Sequence, residues 1–142
     1  MLDAAAIARL VPHQGGMCLL GSVDCWDGQG IRARSGMHVD PTCPLRRDGR
    51  LPSVCLIELG LQAMALHGAL QQGAPQPPGF VATLADVEIA GPWADGLPSP
   101  LVVEAERLAH QPRGQLYRFR ILADGAPVVT AQALVVTPEQ AR

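Results

Sequence analysis

The most apolar long stretch is PSVCLIELGLQAMAL, residues 52–66, and apolar residues continue to about Leu70. The pattern predicts a helix over about 53–70. Pro52 suits a first turn, Ser53 suits a cap, and QQGAPQPPG ends the element. Apolar residues fall on nearly every side of this helix, so nearly every side must be covered. Upstream, LDAAAIARLV sets Ile7, Leu10 and Val11 on one stripe and predicts a short helix over about 3–10, stopped by Pro12. MCLLGSVDCW and GIRARSGMHV flank DGQG, a hairpin signal, with Ile31, Ala33 and Ser35 on one face and Arg32 and Arg34 on the other. DPTCPLRRDGRLP is rich in Pro, Gly and Arg and predicts a loop. After the long helix come FVATLADVEIAG, LVVEAERLAH, LYRFRILADG and PVVTAQALVVT, four β-rich runs. The last three contain alternation or β-branched runs suited to antiparallel strands. The inferred class is α+β, an antiparallel sheet wrapped around one central helix, with residues 1–142 as a single domain.

Composition narrows the function classes. The chain has 142 residues, 48% hydrophobic and 17% charged, enough for one globular core. A net charge of -2 gives no reason to expect a nucleic-acid partner. No apolar run approaches the roughly 20 residues of a membrane span, and MLDAAAIARL lacks a basic start followed by an apolar stretch, so a soluble, cytoplasmic protein is expected. Cys18, Cys25, Cys43 and Cys55 contain no C-x-x-C pair, and neither a metal site nor a disulfide is expected from them. Cys55, near the helix start, admits two readings: a small core residue or an activated thiolate.

The ionisable Glu58 and the amide Gln62 interrupt the apolar helix. They lie one turn apart on one face, while His67 falls on the opposite side. A carboxylate removed from water must be paired, hydrogen-bonded or protonated. Glu58 is therefore either satisfied structurally at a sheet edge or dimer seam, or it is a general acid or base made useful near neutral pH by desolvation.

LVPHQGGMCLLGSV, followed about 40 residues later by LPSVCLIELGLQAMA, resembles the hotdog-fold beta-hydroxyacyl-acyl carrier protein dehydratases. It is most similar to the dehydratase-like branch found in aryl polyene gene clusters. Pro12 and His13 match a Pro-His pair before the family's first strand. Pro52, Glu58 and Gln62 match a Pro at the helix start, an acidic catalytic residue, and a Gln four positions on. The resemblance implies a homodimer, or a heterodimer with another hotdog dehydratase, joined edge to edge. It also implies a tunnel at the interface that admits an acyl group on the phosphopantetheine arm of an acyl carrier protein, with no other cofactor and no metal. A His would take the proton alpha to the thioester, the acidic residue would help expel the beta-hydroxyl as water, and helix-start amides at Ser53 and Val54 would meet the thioester oxygen. Gln62 would line the substrate site. Arg46, Arg47 and Arg50 would either be a solvated loop or form a tunnel rim that pairs with phosphate and an acidic carrier surface.

The chain departs from the family pattern at one place. The family's catalytic His precedes the helix in a Gly-His-Phe-Pro-like loop, and the interval from Pro41 to Pro52 contains no His. His13, His38 or a neighbouring subunit are the candidate sources of the base. His67 is expected in the core or at a seam, and His110 in an exposed turn. Three functions stay open at this point: a hydroxyacyl thioester dehydratase, a hotdog thioesterase, and a degenerate partner that completes the tunnel of an active dehydratase.

Overall fold

The computed structural model describes residues 2–11, 17–74 and 80–136. Its strands are β1 (Leu2–Asp3), β2 (Ser22–Trp26), β3 (Gly30–Ser35), β4 (Phe80–Ile89), β5 (Leu101–Gln111), β6 (Gly114–Ala123) and β7 (Ala126–Val136), and its helices are α1 (Ala4–Ala8) and α2 (Ile57–Gln72). All strand pairs are antiparallel and form one sheet in the order β1-β2-β3-β5-β6-β7-β4. Helix α2 packs against β3, β5, β6 and β7. Leu56, Leu59, Ala63 and Leu66 share one buried cluster with Val103, Phe119, Ile121 and Ala131. The alternation expected from the sequence is present: Tyr117, Phe119 and Ile121 face inward on β6, and Arg118 and Arg120 face out.

Local chemistry explains the element ends. The expected helix at 3–10 is shortened to Ala4–Ala8, because Leu2 and Asp3 pair with Val23 and Ser22 as β1 and the Asp3 carboxylate caps the Ala6 amide at 2.9 Å. Hairpin β2–β3 closes where Asp27 Oδ1 accepts from the Gln29 and Gly30 amides at 2.7 and 3.0 Å. The expected helix start at 53 is a 3-10 turn over Ser53–Leu56, with α-helix only from Ile57. At the other end the helix runs past 70 to Gln72, where Gly73 at φ 72 closes it in the left-handed conformation that glycine adopts without a steric penalty. Ser53–Gln72 is long and apolar enough to cross a membrane by length and composition, which corrects the expectation that no segment is. Its most apolar window is 56% buried inside the fold, so its apolarity has a use there.

A buried polar network fastens the C-terminal half of α2. His67 is fully buried on the side facing away from Glu58, as the helical period predicts. Its Nε2 lies 2.7 Å from the Asp27 carbonyl, which only accepts, so Nε2 holds the proton and Nδ1 accepts from the Tyr117 hydroxyl at 2.5 Å. Burial, helped by the nearby Arg107 charge, outweighs the pull of Asp27 and lowers the His67 pKa below its ordinary value. Burial pushes Tyr117 up to about 12. An unfolded His67 takes up a proton around pH 6.5, whereas the folded one resists, so this contribution to stability is complete above about pH 6.5 and is lost as the pH falls below it. The carboxylates held below their usual range by hydrogen bonds, Asp27, Asp40 and Asp95, lose their contribution only around pH 4 and lower. The unfolding midpoint should therefore be lower at pH 5 than at pH 7.5, with a smaller drop in His67→Gln. Equal drops in the two proteins would place the titrating group elsewhere.

Candidate active site

The start of α2 is held by two loops that meet across it. The Leu51 amide donates to Asp95 Oδ1 at 3.1 Å, the Ala94 amide to the Leu51 carbonyl at 2.8 Å, and the Ser53 amide to the Pro92 carbonyl at 2.9 Å. The Arg50 guanidinium lies 4.3 Å above the Trp93 ring and 3.4 Å from Asp95. GPWADG reads as a plain turn segment in the sequence. The available signal was Trp93, a large apolar residue among turn formers.

Glu58 lies in the first turn of α2 and is half-buried. A first-turn carboxylate is favoured by the helix dipole. Gln62, one turn on and buried, donates from Nε2 to Glu58 Oε1 at 3.3 Å and to the Met17 carbonyl at 2.7 Å, and its Oε1 accepts from the Leu19 amide at 3.0 Å. Ser53 is buried, its amide is used by Pro92, and its Oγ is one of two buried side-chain polar atoms without a hydrogen bond among the described residues. Val54 beside it is 55% exposed, so it is the member of this pair that an incoming group can approach.

The histidines fall into different settings. His13 lies outside the described residues. His38 is fully buried in the 3-10 turn Met37–Val39, and its Nε2 donates to the Leu97 and Pro98 carbonyls at 3.0 and 3.2 Å, since a carbonyl only accepts. Its Nδ1 is the other buried polar atom without a partner among the described residues. His67 serves the network described above. His110 is exposed near the β5–β6 turn and bonded to Gln115 at 2.6 Å.

The arginines of the expected rim separate as well. Arg46 donates to the carbonyls of Asp40, Gly49 and His38, each at 2.8 Å, so its guanidinium staples the loop together. Arg47 bonds the carbonyls of Pro44 and Arg46, and it is exposed along with Arg50. Burial pushes the Cys55 thiol up, which opposes the activated-thiolate reading. Replacing Arg46 with Ala removes three bonds that close one loop. The Arg46→Ala variant should lose about 1–3 kcal/mol in chemical denaturation, against less than about 0.5 for Arg47→Ala. Equal losses would show that the Arg46 bonds do not brace the loop.

The sequence model of the ApeP-like family, described as ApeP dehydratase, matches residues 5–142. No curated protein matches the chain. Among solved structures, the dehydratase heterocomplex ApeI:P from Xenorhabdus doucetiae superposes with a TM-score of 0.82 at 20% identity, over 94% of this chain and 91% of that one. AziG from S. sahachiroi follows at TM-score 0.61 and 11% identity, over 85% and 92% of the two chains. A mutant thioesterase from Pseudomonas aeruginosa gives 0.58 at 12% identity, over 82% and 79%. At these identities the likenesses show the shared hotdog fold.

Proposed function

We propose, from the premise that the chain belongs to the ApeP-like dehydratase family, that this dehydratase-like hotdog protein is one half of a hydroxyacyl thioester dehydratase. In this reading Glu58 is the acid, and the second half, another hotdog dehydratase, brings the base. The observation that carries the reading is the contrast in how the ionisable side chains are held. Glu58 is half-buried at the helix start, while the His38 and His67 rings are fully buried and bonded to carbonyls of their own chain. The heterocomplex of the similar Xenorhabdus doucetiae structure supports a hetero-oligomeric arrangement.

In the reaction, the base removes the proton alpha to the thioester and the bond from the beta carbon to oxygen breaks. The departing hydroxyl takes the Glu58 proton, giving water and an unsaturated thioester. The Val54 end of the 3-10 turn meets the thioester oxygen. The acyl group arrives on the phosphopantetheine arm of an acyl carrier protein, whose acidic surface faces Arg47 and Arg50. The decisive experiment measures dehydration of a hydroxyacyl carrier by this chain alone, by the candidate second dehydratase alone, and by both together. Turnover above the sum of the parts supports the pairing. Full turnover by this chain alone, lost in His13→Ala, would instead give the base to His13.

The join between the halves is assigned to β4, an end strand of the sheet. Phe80 is 62% exposed, and Val81, Leu84, Val87 and Ile89 are exposed too. An open edge lined with apolar side chains calls for a cover. Val87→Asp should weaken the assembly at least about tenfold in sedimentation or titration, a loss typical of a charge placed in a buried seam. An unchanged dissociation constant would move the interface off β4.

A further inference from the structure

Resting on the reading of Glu58 as the acid, we infer that Gln62 is a positioning residue rather than a substrate contact. It fixes the Glu58 carboxylate and at the same time clamps residues 17–19 against α2. Its amide has one acceptor oxygen and two N–H donors, and each has a partner within the chain. Oε1 takes the Leu19 amide at 3.0 Å, and Nε2 serves the Met17 carbonyl at 2.7 Å and Glu58 Oε1 at 3.3 Å. The Leu19 bond requires the oxygen on one side and the Met17 bond requires the nitrogen on the other, so the amide cannot flip. The second N–H is therefore aimed at the carboxylate by two bonds that do not involve it. Gln62 is 1% exposed, which leaves a substrate no surface on it to touch.

The clamp is tied into the core from the other side as well. The Ser35 hydroxyl donates to the Leu19 carbonyl at 2.7 Å and accepts from the Met37 amide at 3.1 Å, so residues 17–19 are fixed between α2 and the end of β3. Any displacement of this segment is thus transmitted through one amide to the acid. A group that only needed to line an acyl tunnel would require neither the donor nor the acceptor, and an apolar residue would serve it.

Two variants separate the two halves of the role. Gln62→Glu keeps an oxygen for the Leu19 amide but has no N–H for Met17 or Glu58. Gln62→Met removes both. Two readouts do not depend on turnover: backbone amide exchange at Leu19 and the 13C resonance of the Glu58 side-chain carboxyl at neutral pH. Leu19 should stay protected in Gln62→Glu and exchange at least about tenfold faster in Gln62→Met, and the Glu58 resonance should move in both. In the reconstituted pair, both variants should lower kcat at least about tenfold with KM within about twofold, since a misplaced catalytic group costs rate and not ground-state binding. A raised KM with unchanged kcat would make Gln62 a substrate contact and overturn the inference. So would an unmoved Glu58 resonance, or unchanged Leu19 exchange in Gln62→Met. If the wild-type pair shows no turnover, the proposed reaction fails while the exchange and 13C measurements still decide the clamp.

Discussion

Glu58→Gln is expected to lower dehydration by the reconstituted pair about 10²–10⁴-fold, the usual value of a positioned proton donor or acceptor. The substitution preserves length and shape. Its amide oxygen accepts the Gln62 N–H that now lies 3.3 Å from the carboxylate, so the geometry of the helix start survives and only the transferable proton is removed. Folding should change little, because the amide keeps the Gln62 bond and the lost interaction of a first-turn charge with the helix dipole is worth about 0.3–1 kcal/mol. The measurements are the initial rate with a hydroxyacyl carrier, the unfolding midpoint, and co-elution with the second dehydratase. A variant that folds and assembles normally but has lost turnover places the chemistry on Glu58. A rate within about threefold of the wild type would show that the carboxylate is a structural member of the seam and that the second subunit holds the whole catalytic apparatus.

The sequence revealed what depends on local periodicity and left hidden what depends on distant parts of the chain. The 3.6-residue and two-residue patterns located the central helix and the alternation on β3, β5 and β6, because burial on one face leaves a periodic trace. Glu58 stood out for the same reason, as a break in an apolar pattern. The hydrogen-bond commitments leave no such trace. Gln62 meets Leu19 from 43 residues away and His38 meets Leu97 from 59 residues away, so neither partner can be read from spacing. That is why His38 read as a candidate base and Gln62 as a tunnel residue before the fold placed carbonyls beside them. Strand β4 illustrates another limit. FVATLADVEI is as apolar as an interior strand, but the fold sets it at the edge with Leu84 and Val87 exposed on a broken register that shifts between Ala85 and Glu88. An apolar strand waiting for a partner chain and an apolar strand inside its own sheet have the same sequence signature.

Gly60→Ala should destabilise the protein by about 2 kcal/mol or more, against the propensity of the helix in which it sits. Alanine is favoured over glycine by about 1 kcal/mol in a helix interior, so a gain would be expected on local grounds. A Cβ at position 60, however, would lie 2.1 Å from Cδ1, 2.3 Å from Cε1 and 2.4 Å from Cγ of Phe119. Phe119 is fully buried on β6, between β5 and β7, and its ring has no open side to swing into. Overpacking of a filled core typically costs 1–3 kcal/mol, with larger values where the clash falls on a ring held in the sheet, and here it exceeds the propensity gain. Gly68 provides the control on the same helix. A Cβ there meets nothing within 4 Å, so Gly68→Ala should stabilise by up to about 1 kcal/mol. Chemical denaturation of the two variants should therefore give shifts of opposite sign, and a matching sign would mean that the helix does not approach the sheet this closely. The double variant Gly60→Ala/Phe119→Leu should recover part of the loss if the ring is the obstacle. Gly60 lies between Glu58 and Gln62 in the chain, so a helix pushed off Phe119 takes the carboxylate and its clamp along with it. Dehydration by Gly60→Ala should fall even at temperatures where the variant remains folded.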